Sequence, residues 1–240
     1  MNKSALVIGA NGGIAQAIIL QLLESDEFAI VYGVSRNTSG IKHKKYRHLI
    51  CAQTQEGDIA SAIADIPANS LDLAVCCIGT LQSEKRLIEP EKKLEDLQQD
   101  QLVRYFTINS VLPALWLRAL ESRMLKSAPS HLVFLSARVG STGDNRLGGW
   151  YGYRASKAAL NSLVKTAQVE YRRRKPKCTL VLYHPGTVDT NLSKPFQKNV
   201  PKEKLFTAAF TAEQLLNHLP NLENDNAPHY IDWQGKRIPW

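Results

Sequence analysis

The sequence has no run of about 20 apolar residues, the length that a membrane-spanning helix needs. Asn11, Gly12 and Gly13 interrupt the apolar stretch near the N-terminus, which therefore does not have the form of an export signal. Cysteine is scarce, with four in 240 residues, and none of them has the spacing of a zinc site. Cys76 and Cys77 lie in an apolar run and are predicted to be small buried hydrophobes. We therefore expect a cytoplasmic protein with no metal site and no membrane partner.

The chain also lacks internal repeats, low-complexity tracts and Pro/Gly/Ser-rich linkers, and its composition does not shift along its length. A single domain over residues 1–240 is therefore predicted. Acidic residues are outnumbered, with 22 Asp and Glu against 30 Lys and Arg, which gives a net charge of +8. The cations concentrate in two runs, Lys42–His48 and Arg172–Lys177, and the second is typical of a solvated helix end. No nucleic-acid-binding motif accompanies them, so we expect no nucleic-acid partner.

Apolar segments of strand length recur along the chain, and segments with helical spacing separate them. Each is continuously apolar rather than alternating, which is typical of strands covered on both faces. The pattern predicts an α/β fold, a single doubly wound Rossmann-type domain with a mostly or wholly parallel sheet. Only residues 35–47 separate the second and third segments, and Gly40 interrupts them, so the helix there is expected to be short or absent. The predicted strands are Ala5–Gly9, Ala29–Val34, His48–Cys51, Leu71–Ile78, His131–Ser136 and Thr179–Tyr183.

A glycine-rich turn joins the first predicted strand to the first predicted helix. It contains Gly9, Asn11, Gly12, Gly13 and Ile14. Glycines allow a tight turn and let the backbone approach a pyrophosphate, whose charge the helix N-terminus then stabilises. A turn without a ligand is the alternative, but the position between a strand and a helix favours dinucleotide binding.

The end of the second predicted strand has no carboxylate, the group that usually holds the ribose of cofactors without a 2′-phosphate. Ser35 and Arg36 stand there instead, and the run Lys42–Arg47 follows. The planar guanidinium fork of Arg36 suits a phosphate, so the sequence favours NADP(H) over NAD(H). Lys42, Lys44 and Lys45 have the alternative role of a solvated basic loop.

Tyr153 and Lys157 lie four residues apart in a strongly helical segment, so their side chains are expected on one helix face, about 5–6 Å apart. A neighbouring ammonium favours a phenolate and is expected to lower the pKa of Tyr153 from its ordinary value of about 10. An ordinary surface pair is the alternative when such a pair occurs by itself. Here the other motifs of the chain favour a catalytic pair.

In order and spacing these motifs resemble those of the short-chain dehydrogenase/reductase family over most of the chain. The likeness is strongest to its carbonyl-reductase-like and C-factor-like branch, judged by Leu135–Ser141, Tyr151–Lys157 and Asp232–Trp240. The residues that carry the resemblance are the glycine turn, Arg36, Gly79, Asn109, Ser136, Tyr153, Lys157 and Pro185–Thr190.

The resemblance implies a role for each matched residue. Tyr153 would exchange a proton with the substrate oxygen, and Lys157 would lower its pKa and hold the nicotinamide ribose. The main-chain carbonyl of Asn109 would hold a water in a proton relay. Pro113 supports this independently, because it lacks the amide that would bond to that carbonyl in a helix. The alternative is that Asn109 caps a helix whose first turn contains Pro113.

The resemblance also implies a cofactor role for residues that follow other strands. Gly79 would let the adenine ribose approach, the Val188 backbone would contact the nicotinamide carboxamide, and Thr190 would support the carboxamide or the pyrophosphate. Pro185 and Gly186 would form the turn that carries these two residues, although a simple Pro-Gly turn is the alternative.

The substrate-orienting serine of the family is not placed unambiguously. Alignment on Gly140 puts Ala137 at its position. Ser136 is one residue early, and alternation along a strand would turn it to the opposite face unless the strand end bends. Ser141 is the second candidate. We predict Ser136, because the hydroxyl has only to donate a hydrogen bond to a developing oxyanion.

These observations together predict an NADP(H)-dependent oxidoreductase that acts on a small carbonyl or secondary alcohol. The segment 191–208 is expected to cover the substrate, and the resemblance implies a homodimer or homotetramer formed through the helices that carry Asn109 and Tyr153. The alternative, which the C-factor likeness allows, is a cofactor-binding regulatory or signalling protein with little turnover.

Overall fold

The computed structural model describes residues 3–53, 55–224 and 228–240. Its main sheet has seven strands in the order β3-β2-β1-β4-β5-β6-β9, and every neighbouring pair is parallel. A separate pair, β7 and β8, is also parallel. The strands are β1 Lys3–Ile8, β2 Phe28–Ser35, β3 Tyr46–Ile50, β4 Leu73–Cys76, β5 Ser130–Leu135, β6 Cys178–His184, β7 Thr187–Val188, β8 Leu205–Phe206 and β9 His229–Asp232. The α-helices are α1 Gly13–Glu24, α2 Glu56–Ala62, α3 Gln99–Phe106, α4 Leu112–Leu120, α5 Tyr151–Arg174 and α6 Ala208–His218.

Helices cover both faces of the sheet, which explains the continuously apolar strands. In β1, Leu6 belongs to one core cluster and Val7 to the other, and both are fully buried. The cluster with Leu6 includes side chains of α2, α4 and α5, and the cluster with Val7 includes side chains of α1 and α6. The parallel Rossmann-type α/β fold predicted from the sequence is confirmed.

The strand prediction missed β9, which lies parallel to β6 at the edge of the sheet. Only Tyr230 and Ile231 of its four residues are apolar, so the segment has no hydrophobic run to detect. Its polar residues His229 and Asp232 are nevertheless buried, and Asp232 accepts a hydrogen bond of 2.7 Å from Arg138. Between β2 and β3 the chain forms no helix, as Gly40 indicated.

β1 and β4 are direct neighbours in the sheet. From β1 the chain adds β2 and β3 on one side, and from β4 it adds β5, β6 and β9 on the other. The crossovers that leave these two strands run to opposite sides, so a crevice opens beyond their carboxyl ends. The glycine turn after β1 and the segment Cys77–Thr80 after β4 meet at this point, where the Cys77 amide bonds to the carbonyl of Ile8 at 2.9 Å.

Within the described part of the chain, no helix has both the length and the apolar character needed to cross a membrane. The same residues contain no group of three or more His, Cys, Asp or Glu side chains placed to hold a metal ion. All four cysteines are free thiols, and Cys51, Cys76 and Cys178 are buried in apolar surroundings while Cys77 is partly buried.

Candidate active site

Two adjoining cavities of about 680 and 660 Å³ occupy the crevice at the carboxyl ends of the strands. The first lies over the ends of β1, β2 and β4, and the second extends over the ends of β5 and β6. They form one continuous cleft because they share lining residues. The shared residues are Asn11, Gly12, Cys77, Ile78, Gly79, Asn191 and Leu192.

The glycine turn is packed too tightly for side chains. Gly9 has a φ of +83°, which favours glycine, and a Cβ on Gly13 would lie 3.0 Å from Cγ2 of Thr190. Helix α1 begins at Gly13, and no side chain caps its first amides. The N-terminal amides of α1 are thus free of side-chain partners beside the cavity that Gly13 and Ile14 line, which is the arrangement that binds a pyrophosphate.

The turn after β2 is held by side-chain bonds to one carbonyl. The Asn37 carbonyl accepts a hydrogen bond from Ser35 Oγ at 2.5 Å and one from Asn11 Nδ2 at 3.2 Å. Ser35 and Arg36 both line the first cavity, and none of the described residues that line it is Asp or Glu. The sequence has no carboxylate at the end of β2, and the described residues that line the first cavity supply none either.

Tyr153 and Lys157 lie in the first turns of α5 and both line the second cavity. The ring of Tyr153 packs against Tyr105 and, edge on, against Trp150, with centroids 6.2 Å apart in each case. Trp150 has a φ of +53°, and α5 begins directly after it. These contacts hold the phenol against the cavity, so Tyr153 and Lys157 are not an ordinary surface pair.

The electrostatics of the pair differ from the sequence-based prediction. Burial raises the pKa of Tyr153, and Lys157 does not lower it. Burial also lowers the pKa of Lys157 to about 8, while its Nζ donates a 2.8 Å hydrogen bond to the Leu135 carbonyl. The prediction was wrong on this point because burial removes the solvation of the phenol, and no attraction from Lys157 offsets that loss.

Asn109 connects the loop after β4 to α5 and is fully buried. Its Oδ1 accepts from the Thr80 amide at 2.8 Å, and its Nδ2 donates to the Thr80 carbonyl and to Ser156 Oγ, both at 3.0 Å. It lies in a π-helical turn, Thr107–Val111, that joins α3 to α4, so it does not cap a helix. The π turn precedes Pro113, as expected where a helix loses one amide.

The absence of a side chain at Gly79 lets Lys157 and Asn109 lie close to its backbone. A Cβ on Gly79 would lie 3.1 Å from Lys157 Nζ and 3.6 Å from Asn109 Oδ1. The residue lines both cavities, so it stands where the two parts of the cleft join. A side chain there would narrow the cleft at that junction.

The hydroxyls of the two candidate serines, Ser136 and Ser141, are hydrogen-bonded within the protein. Ser136 lines the second cavity, but its Oγ donates a 2.6 Å hydrogen bond to Asn161 Oδ1. Ser141 Oγ accepts from the Asp144 amide at 3.0 Å. Ala137 instead packs in the apolar cluster that contains Tyr153. Of the two residues that follow β5, Ala137 thus packs in the same cluster as the tyrosine, while the hydroxyl of Ser136 is bonded to Asn161.

The segment after β6 closes the far side of the cleft. Pro185, Gly186, Val188 and Thr190 all line the second cavity, and Gly186 has a φ of +76°. Val188 lies in the short strand β7, which β8 holds in place through Phe206. The structure therefore brings all the sequence-predicted residues of this loop to one wall.

The segment 191–208 contributes Phe196 and Val200 to the second cavity. Phe196 packs on the Trp150 ring with centroids 5.4 Å apart. The Trp150–Phe196 contact connects this segment to the start of α5, three residues before Tyr153. The segment thus contributes to the lining of the second cavity, and its role as a substrate cover stays a prediction.

Glu91 was missed by sequence reasoning. It is only 2% exposed, and its carboxylate accepts hydrogen bonds from the Gly152 amide at 3.1 Å and from Gln101 Nε2 at 2.8 Å. It thereby satisfies an N-terminal amide of α5 next to Tyr153. In the sequence it stands among charged residues, Glu89–Lys93, and nothing there distinguishes it from a solvated carboxylate.

The chain is similar to several known proteins. A C-signal protein of Myxococcus xanthus is 30% identical over 148 residues, which cover 61% of this chain and 83% of that protein. A 1-hydroxy-2-glutathionyl-2-methyl-3-butene dehydrogenase of a Rhodococcus species is 28% identical over 99% of this chain and 100% of its own length. The structure of NADPH-bound carbonyl reductase from chicken fatty liver has a TM-score of 0.83 and 22% identity, over 100% of this chain and 94% of that one. A family model described as short chain dehydrogenase matches residues 3–201, and the chain belongs to that family of oxidoreductases.

Proposed function

We propose that the protein is an NADP(H)-dependent reductase of a small carbonyl compound, or the dehydrogenase of the matching secondary alcohol, with Tyr153 as acid and base. The observation that carries this is the shared cleft: Tyr153 and Lys157 line a cavity that continues into the one above the glycine turn. A dinucleotide that spans both cavities would bring its nicotinamide to the tyrosine.

The residues present fit such a cofactor. The glycine turn and the uncapped start of α1 suit the pyrophosphate, and Ser35 and Arg36 suit the adenosine ribose and its 2′-phosphate. Gly79, Pro185, Gly186, Val188 and Thr190 would line the remaining length, with Lys157 at the nicotinamide ribose. When bound, the cofactor supplies the hydride. The chicken carbonyl reductase, which has the same fold, was solved with NADPH.

Tyr153 supplies the proton in this proposal. Its raised pKa keeps it a neutral phenol at pH 7, which is the form that can donate to a carbonyl oxygen. Lys157 reaches the Leu135 carbonyl across the end of β5 and holds its amine at the cavity wall. The side chain of Asn109 is hydrogen-bonded to Thr80 and Ser156, so we propose that Asn109 takes part in proton transfer through its main-chain carbonyl.

The lining of the second cavity favours an apolar substrate. Leu81, Val139, Trp150, Phe196 and Val200 surround the space in front of Tyr153. We propose that the segment 191–208 covers this substrate and that it gives the cavity its specificity, because Phe196 and Val200 belong to it. Aromatic and aliphatic aldehydes and ketones are therefore the compounds to test.

The deciding experiment follows NADPH oxidation with a panel of such carbonyls and compares the wild type with Tyr153→Phe. Loss of a positioned acid lowers kcat by about 100-fold or more, while NADPH affinity should stay within about twofold. Turnover that survives the substitution would overturn the proposal. Cofactor binding without turnover on any carbonyl would favour the second candidate, a regulatory protein of the C-signal type.

The same assay tests the hydroxyl donor. We carry Ser136 forward as the proposed donor, which requires its Oγ to leave Asn161, and Ser141 as the alternative. Ser136→Ala and Ser141→Ala are compared for kcat, and a loss at one position only identifies the donor. If neither loses turnover, no hydroxyl assists Tyr153, which is consistent with Ala137 at the family position.

We also propose that residues 1–240 form one domain, that the protein is cytoplasmic, as its four free thiols support, and that it assembles as a homodimer or homotetramer. A small carbonyl or alcohol is its proposed partner, with no nucleic acid and no membrane.

A further inference from the structure

The first cavity has a second arginine in its wall, Arg86, which the sequence motifs do not include. It ends the 3₁₀ turn Glu84–Arg86 in the loop after β4. This turn is closed by two backbone hydrogen bonds between Ser83 and Ile88, of 2.9 and 3.0 Å, and Ile88 is buried beneath it. The guanidinium of Arg86 therefore projects from a fixed piece of backbone.

Arg36 projects into the same cavity from the other side of β1, because it follows β2 while Arg86 follows β4. Neither guanidinium has a hydrogen bond or an ion pair with any residue that the structure describes. The acidic residues beside Arg86 in the sequence, Glu84 and Glu89, are exposed and do not line the cavity. Two cations thus face one space without a carboxylate among its described lining residues.

The two arginines are close enough to repel each other. Burial and the charge of Arg36 together lower the pKa of Arg86. Arg36 is exposed and Arg86 is partly buried, so water screens only part of their repulsion, and an anion between the two guanidinium groups would remove the rest. A phosphate dianion has the charge and the number of oxygen acceptors to satisfy both guanidinium forks.

We infer that Arg86 is a specificity-determining residue that binds the 2′-phosphate of NADP(H) together with Arg36, the two arginines approaching it from either side of β1. This inference rests on the proposed function. The position after β2 is where a Rossmann-type fold reads the 2′ group of the adenosine ribose, and Arg86 lines the same cavity as Arg36 at that position. The pyrophosphate belongs to the glycine turn, so the 2′-phosphate is the anion that this pair of arginines fits.

The test measures dissociation constants of NADPH, NADH and 2′-AMP by calorimetry for the wild type, Arg86→Gln and Lys85→Gln. Lys85 lies in the same 3₁₀ turn, is exposed and does not line the cavity, so its variant loses the same unit of charge without the contact. Arg86→Gln should weaken NADPH and 2′-AMP binding by about 10- to 100-fold and leave NADH within about twofold. Lys85→Gln should leave all three within about twofold.

Arg36→Gln and the double variant complete the design. If both arginines bind one phosphate, the loss in the double variant is smaller than the product of the two single losses. If Arg86→Gln binds NADPH as tightly as Lys85→Gln does, the inference is wrong. If Arg36→Gln nevertheless removes the preference for NADPH, the proposed function still stands. A wild type with equal affinity for NADH and NADPH would instead overturn the NADP(H) assignment itself. A melting temperature equal to that of the wild type checks that Arg86→Gln is folded.

Discussion

A buried amine is the least expected feature of the site at the scale of single residues. Lys157 is 3% exposed, and among the described residues its ammonium donates a hydrogen bond to the Leu135 carbonyl alone. Keeping a charge there costs folding free energy, which is why burial lowers the pKa of Lys157 to about 8. Active sites commonly hold such groups at the expense of stability.

The pKa of Lys157 makes stability depend on pH in a predictable direction. The unfolded chain, with a lysine pKa near 10.4, binds this proton more tightly than the folded chain, with a pKa of about 8. Stability therefore rises with pH between these two values, by about 1.4 kcal/mol per unit for this group alone. Lys157→Met removes the charge, so the variant should gain stability relative to the wild type at pH 7 and lose that advantage at pH 10.

Urea unfolding of both proteins at pH 7 and pH 10 measures this difference. The lost hydrogen bond to Leu135 affects the variant at both pH values, so it cancels when the two differences are compared. A shift of about 2–3 kcal/mol between the two pH values is expected. A difference that does not change with pH would show that Lys157 is solvated, and the account of its burial would be wrong.

The sequence could predict which residues meet at the site but not which atoms they bind. Tyr153, Lys157, Asn109 and the glycine turn follow from motifs whose spacing the fold requires. The partner of Ser136 could not be predicted, because Asn161 is 25 residues away and only the packing of α5 on β5 brings it close. Arg86 was missed for a similar reason, since its neighbour Arg36 precedes it by 50 residues.

At the scale of elements, the strands that carry a long apolar run could be located from the sequence, although their ends differ by one or two residues. Buried short elements with polar residues could not. β9 is stabilised by an ion pair between its Asp232 and Arg138, at 2.7 Å, and by pairing with β6. Both are long-range interactions, so nothing local in residues 229–232 marks a strand.

The start of α5 depends on a close contact that only glycine allows. A Cβ on Gly152 would lie 2.4 Å from a ring carbon of Tyr105 and 2.8 Å from Glu91 Oε1. Gly152→Ala should therefore destabilise the fold by about 2 kcal/mol and lower kcat, because the next residue is Tyr153. Thermal unfolding and the carbonyl assay measure the two effects.

Gly57 is the matched control for this substitution. It lies in α2, and a Cβ there would meet nothing within 4 Å. Gly57→Ala should raise stability by about 0.4–1 kcal/mol, because alanine restricts the unfolded chain and favours the helix. Equal effects of the two variants would contradict the contact proposed at the start of α5.

At the scale of the whole molecule, α3 and α5 pack side by side and carry exposed apolar side chains on the same side of the sheet. Val103 and Phe106 in α3 are 57% and 37% exposed, and Leu163 in α5 is 41% exposed. Exposure of several apolar side chains on one face is unfavourable in water, whereas an interface between copies of the chain would bury them.

We therefore expect the wild type to have two or four times the monomer mass of 26.8 kDa when light scattering is measured during gel filtration. Val103→Asp and Leu163→Asp should shift it towards the monomer, because an aspartate buried at an interface has lost its solvation. Leu20 in α1, which is 50% exposed and lies on the other face of the sheet, is the control. Leu20→Asp should leave the mass unchanged. A monomeric wild type, or dissociation by Leu20→Asp alone, would contradict an interface built from α3 and α5.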